Sequence, residues 1–231
     1  MVTIILDAGH GYGKKFNRGG VLFNEGDQNY RYSLILKKEL EQYENVKVLL
    51  TRKTIKEDPS LEARGKMYKG DLFVSLHTNA FSNPNVTGTE TFVSMRNSDT
   101  LAKKINDTIV KTIGTKNRGV KRKKLSNGKD WFGVLRNSVS TYSILVEHVF
   151  HTNRSDSKKY LDNQTTLARE TARTIASHYG LKRKDSTVKS DKYYRVFAGS
   201  FKNRHNADEL LKELKNKGFK NSFISYEEVK K

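Results

Sequence analysis

The chain is expected to be an α/β protein with a mixed, largely parallel sheet flanked by helices, followed by a small C-terminal βαβ unit. Three observations predict this. Short apolar runs alternate with helical patterns through the first 180 residues, as in layered α/β domains. The polar, aperiodic stretch LKRKDSTVKSD at 181–191 then breaks the pattern and reads as a linker. Beyond it, a strand, an amphipathic helix and a second strand fit within the remaining residues, the content of one βαβ unit. A chain of 231 residues has room for one core of roughly 150–200 residues and a small appendage. The expected division is 1–180, a linker at 181–191, and 192–231.

In order, strands are expected at 2–6, 46–50, 72–76, 89–94 and 143–149, where apolar residues cluster in short runs. Helices are expected at about 29–43, 60–69, 100–113 and 155–179. Asp99 stands where an N-cap is needed for the third helix, and Gly114 where that helix must stop. In the fourth, Leu161, Leu167, Ala168, Ala172, Ile175 and Ala176 recur at helical spacing before Gly180, a face whose role is packing. The C-terminal segment reads YYRVFAGSF as a strand, HNADELLKELKNKGF as a helix ending at Gly218, and KNSFISY as a strand.

Composition bounds the function. Lys and Arg number 44 against 25 Asp and Glu, a formal net charge of +19, so long-range attraction to polyanions is expected. Nucleic acid, an anionic membrane and a bacterial wall rich in carboxylate and phosphate polymer all qualify by sign. No nucleic-acid-reading motif is visible, so nucleic acid is not expected as a partner. Cysteine is absent, which excludes disulfides, thiolate metal sites and cysteine nucleophiles together. MVTIILDAGHG lacks a basic n-region, so no signal peptide is expected, and no apolar run is long enough to span a bilayer. Synthesis in the cytoplasm without membrane insertion is therefore expected, with a separate route to any target outside.

Four residues carry the chemistry: His10 in LDAGHG, Glu25 in FNEGD, His77 in VSLHTNA and Glu147 in LVEHVF. Two imidazoles and one carboxylate suffice to hold a zinc ion with one position open to water, and a second carboxylate is then free to move protons. Each of the four follows a short apolar run, so they are expected at strand ends, where open sheets place their sites. Asp7 and Asn79, close in sequence to the two histidines, are candidates to fix an imidazole tautomer. His148 and His151 are candidates to touch substrate or the proton path, against a plainer reading as polar residues at a strand mouth. Lys121-Arg122-Lys123-Lys124 reads first as a solvated loop and second as the wall of a groove for an acidic glycopeptide. Trp131 reads as core.

These contexts resemble, in order, the motifs of the zinc-dependent N-acetylmuramoyl-L-alanine amidases: Asp-Ala-Gly-His-Gly, Asn-Glu before a long helix, Ser-Leu-His-Thr-Asn-Ala, and Glu-x-x-Phe-x-Thr-Asn. LEARGKMYKGDLFVSLHTNA, with Arg64 ahead of the His77 strand, is similar to that family throughout, as in general shape are NRGVKRKK and WFGVLR. The resemblance covers residues 1 to about 180. It implies Zn2+ held by His10, Glu25 and His77, with Asp27 as the rival to Glu25, and Glu147 as the catalytic carboxylate. It also implies hydrolysis of the bond between N-acetylmuramic acid and L-alanine in peptidoglycan. Arg64 joins the residues around the metal or substrate. Two departures stand out: Val149 where the family usually has Gly, and Thr141-Tyr142 where a Pro-Ala-like pair is common. The expected setting is a phage endolysin acting on the wall after release; the alternatives are a sporulation mother-cell wall hydrolase and a non-catalytic wall-binding protein on the same fold.

Residues 193–226 resemble the first half of a SPOR domain, a wall-binding module built from two βαβ halves. Tyr194 to Phe201, Asn206-Ala207 and Gly218-Phe219 carry the likeness. One βαβ unit has too little core to stand alone, so a homodimer through this module, or its docking on the larger domain, is expected.

Overall fold

The computed structural model describes residues 1–13, 19–184 and 198–224. The chain divides into two units, Met1–Asp185 and Ser186–Lys231. The first contains strands β1 (Val2–Ala8), β2 (Val46–Leu50), β3 (Leu72–Asn79), β4 (Thr89–Val93), β5 (Asn117–Lys121) and β6 (Tyr142–Phe150). They form one sheet in the order β2-β1-β3-β6-β4-β5. Strand β4 runs antiparallel to β6, and the other pairings are parallel.

Helices α1 (Glu25–Leu40), α3 (Thr100–Ile113) and α5 (Arg154–His178) serve the larger core. Leu36, Ile105, Ile109, Leu167, Ala172 and Ile175 meet Ile4, Leu6, Val74, Leu76, Ile144 and Val146 there. The alternate residues of the same strands, Ile5, Phe73 and Leu145, form a smaller core with Val134 and Leu135 of α4 (Gly133–Asn137), against which α2 (Leu61–Lys66) packs. The central strands are apolar on both faces because both faces are covered.

Helix α3 spans the expected residues, with Gly114 closing it at φ 64°. Asp99 occupies the cap position without a side-chain capping bond, its carboxylate being paired with Arg122 instead. Helix α1 begins four residues before its expected start, at Glu25 itself, which places that carboxylate in the helix's first turn. The sequence pattern missed β5 and α4. NRGVK lacks apolar alternation and contains Gly119 at φ 79°, and five residues are too few for a helical period to show.

In the second unit, α6 (Arg204–Asn216) is present, its Asn203 side chain accepting from the His205 backbone N–H. Residues 193–197 and 225–226 of the expected strands lie outside the described residues, and 198–201 and 220–224 form no ladder. Ala207, Leu210, Leu211 and Leu214 are half-buried along one side of α6, and the helix has no fully buried residue.

Candidate metal centre and active site

The chain leaves β1 to make α1 and β2 on one side, then crosses to place β3 on the other. The carboxyl ends of β1 and β3 therefore flank a topological switch point, the usual crevice for ligands in open α/β sheets. His10 follows β1, His77 sits near the end of β3, and Glu25 opens α1 between them in sequence. One donor atom from each lies within 4.8 Å of the others. His10 Nε2 is 3.2 Å from Glu25 Oε2, and His77 Nδ1 is 3.2 Å from Glu25 Oε1. Two imidazole nitrogens and a carboxylate gathered this closely form a possible metal site. The Glu25 side chain is 2 % exposed, while His10 and His77 keep 26 % and 15 %, leaving the cluster open on one side.

Burial pushes the Glu25 carboxyl upward, but hydrogen bonds and charge from His10 and His77 outweigh it and hold the group well below the usual carboxylate range. The backbone N–H of Thr78 adds a bond of 3.0 Å to Oε1. Glu25 is thus an anion ready to bind a cation.

His10 adopts φ 61°, a conformation that costs a non-glycine residue free energy unless its surroundings impose it. Two buried arginines impose it. The His10 carbonyl accepts from Arg52 Nη1 at 2.9 Å and from Arg64 Nη2 at 2.9 Å. Arg52 Nη1 also reaches the Gly26 carbonyl at 2.8 Å, tying the His10 turn to the start of α1. Arg64 further donates to Asp7 Oδ1, the Ala8 carbonyl and Asp58 Oδ1. At Gly9, a Cβ would lie 2.2 Å from the His77 ring, so only glycine lets the turn pass this close to the imidazole.

The expected neighbours divide. Asp7 is fully buried, and its hydrogen bonds go to Thr51, Arg64 and Ser75. It therefore acts on the His10 turn through Arg64, and not on an imidazole tautomer. Burial raises its carboxyl, yet Arg64 and the two hydroxyls bring it below its ordinary value. Asn79 likewise donates to Glu90 Oε1 at 2.9 Å, not to His77. His148 is buried between Tyr32 and Tyr160, with Nδ1 3.0 Å from the His77 carbonyl. Desolvation lowers it to about 4, so it is a neutral core histidine behind a ligand rather than a group facing substrate. His151 is also buried, its Nδ1 2.9 Å from Thr78 Oγ1 and 3.9 Å from Glu25 Oε2. Asp27 shares the first turn of α1 but is not among the converging donors. Trp131, expected in the core, is 49 % exposed, with Lys123 Nζ 4.3 Å from its ring centre.

Glu147 is paired with His77 across β3 and β6, and with Glu90 across β6 and β4. Paired residues on adjacent strands share a face, so His77, Glu147 and Glu90 form one row. It lies on the side of the sheet that carries Phe73 and Leu145, beyond the cover of α4. A carboxylate one strand from a candidate metal ligand is within range to exchange a proton with a group held there. Val149, the departure from the resembled motif, is fully buried in the larger core. Backbone pairing remains regular through the His77–Glu147 pair and shifts only beyond it.

The profile of the N-acetylmuramoyl-L-alanine amidase family matches residues 4–177, and that of the SPOR domain matches residues 163–226. The chain is 34 % identical over 175 residues to an uncharacterized cell wall amidase of Bacillus anthracis, covering 68 % of the chain but only 31 % of that relative. It is 30 % identical to the sporulation-specific N-acetylmuramoyl-L-alanine amidase of Bacillus subtilis, covering 95 % of the chain and 83 % of the relative. Among solved structures, an N-acetylmuramoyl-L-alanine amidase from Clostridium difficile 630 superposes with a TM-score of 0.66 at 28 % identity, covering 78 % of the chain and 97 % of that protein. The chain belongs to the N-acetylmuramoyl-L-alanine amidase family, the peptidoglycan amidases that its ordered motifs resemble.

Proposed function

We propose that the chain hydrolyses the amide between N-acetylmuramic acid and L-alanine in peptidoglycan using Zn2+ held by His10, Glu25 and His77. The observation that carries this reading is the convergence of those three donors at a switch point, with Glu147 in register beside His77. Zn2+ bound there would supply Lewis acidity, lowering the pKa of a water toward about 7. Glu147 takes the proton of the attacking water and returns it to the leaving amine nitrogen, serving as base and then acid. Arg52 and Arg64 hold the His10 turn, and Asp7 holds Arg64.

The setting proposed first is a phage endolysin that reaches the wall after release. A sporulation mother-cell hydrolase is the second reading, favoured by the B. subtilis relative that matches nearly the whole chain. Comparing turnover on vegetative walls and on walls of sporulating cells separates the two. The half-buried stripe of α6 and the SPOR match support residues 192–231 as a wall-binding or dimerising module. Attraction to anionic wall polymers follows from the charge of +19.

The test is direct. A chelator should abolish release of L-alanine amino termini from purified walls, and zinc should restore it. Glu147→Gln should lower turnover by about 100-fold or more with metal content unchanged. Wild-type turnover in that variant removes Glu147 from the reaction, and no wall cleavage by the unaltered chain leaves only a binding role for the fold.

A further inference from the structure

We propose that Arg118 and Lys121 form a subsite for the first free carboxylate of the stem peptide, so that the bound peptide crosses the sheet from β3 toward β5. This rests on the amidase reading above. The row of His77, Glu147 and Glu90 leads outward across three strands. Glu90, nearly buried, then engages both cations through one oxygen: Arg118 Nε at 2.7 Å and Lys121 Nζ at 2.6 Å from Oε2. Its other oxygen is taken by Asn79. Two cations share the Glu90 carboxylate at this end of the row, while the other carboxylate, Glu147, stands one strand nearer His77.

Both side chains remain accessible, at 29 % and 39 %. The Arg118 guanidinium is steadied over the Phe150 ring, 5.0 Å from its centre, and its Nη2 makes no hydrogen bond among the described residues. Among the described residues Lys121 donates to Glu90 alone, so further ammonium protons remain available. The neighbouring cations of the basic run are engaged elsewhere, Arg122 with Asp99 and the Asn97 carbonyl, Lys123 with Trp131.

Spacing agrees with the assignment. Adjacent strands stand about 4.8 Å apart, so Glu90 lies about 10 Å from His77 across the sheet, with the two long cationic side chains reaching over it. In a muramyl peptide the first free carboxylate belongs to the residue after the alanine, about 7 Å beyond the scissile amide along an extended chain. An amide held over His77 and Glu147 with its peptide directed toward β5 brings that carboxylate within reach of the two cations. Amidation of the same carboxylate removes the charge they would read, making this a specificity determinant.

The experiment uses the zinc-loaded chain and two soluble substrates, N-acetylmuramoyl-L-alanyl-D-glutamate blocked as its γ-methylamide and the α-amide of the same compound. The wild type should show a KM about five-fold lower for the acid. Arg118→Gln and Lys121→Gln should each raise KM for the acid by about five-fold while changing kcat and the amide's KM by less than about two-fold. Equal wild-type KM for acid and amide, or parallel losses on both substrates in the variants, overturns the subsite. Circular dichroism and metal content check each variant, and Lys121→Gln, at the more exposed position, carries the test alone should Arg118→Gln misfold. Failure of the wild type to cleave either substrate overturns the amidase reading itself, and the subsite with it.

Discussion

Arg52 joins two candidate-ligand segments through one nitrogen, which donates to the carbonyls of His10 and Gly26. Replacing it with Met keeps an unbranched apolar stem and removes both bonds, together with a third to the Ile55 carbonyl. Arg52→Met should weaken zinc affinity by about 10- to 100-fold, read by competition with a chromophoric chelator, while circular dichroism stays native. Unchanged affinity would show that the turn holds itself. His148 sets a second expectation. Its native pKa of about 4 lies below the ordinary 6.5, so the unfolded chain binds more protons between those values. Stability from this group is complete above about pH 6.5 and is lost as pH falls toward 4, up to on the order of 3 kcal/mol. His148→Gln should flatten the fall of Tm across that window, and an unaltered slope would exonerate the residue. The candidate ligands were legible because their motifs abut strands. Arg52 was not, because its partners are backbone carbonyls, which leave no mark in a sequence. The partner of Asp7 is not readable from its closeness to His10 in sequence, since only the fold shows Arg64 interposed between it and the His10 turn.

At the level of elements, the strands and long helices of the first unit were readable from periodicity, whereas β5 is held by its pairing with β4 and by Gly119 rather than by apolar alternation. Strand β6 carries the departure at Val149, which fills space in the larger core. Val149→Gly would restore the residue usual in the resembled motif but remove a buried side chain and free the backbone. A loss of about 2–4 kcal/mol is expected, measured by denaturant unfolding, with no gain in turnover. A gain in turnover would mean that Val149 restrains the Glu147 segment.

For the molecule as a whole, the first unit contains both cores and, among the described residues, the converging candidate metal donors. Deleting residues 192–231 should leave a folded, metal-binding chain that cleaves soluble muropeptides but lyses intact cells poorly, because wall targeting and two-site avidity are lost. Light scattering should report a dimer for the full chain and a monomer for the truncated one. A monomeric full chain at tens of micromolar overturns the dimer, and equal lysis overturns the targeting role. The C-terminal helix was legible from its leucine spacing. What partners its stripe was not, since a helix face names no occupant. Strand β5 has one more consequence. It is an outer edge of the sheet, and unpaired edges invite strand-to-strand aggregation. Arg118 and Lys121 on the strand, with Arg122 just beyond, set long cationic side chains along that edge, a placement that disfavours strand-to-strand pairing between chains.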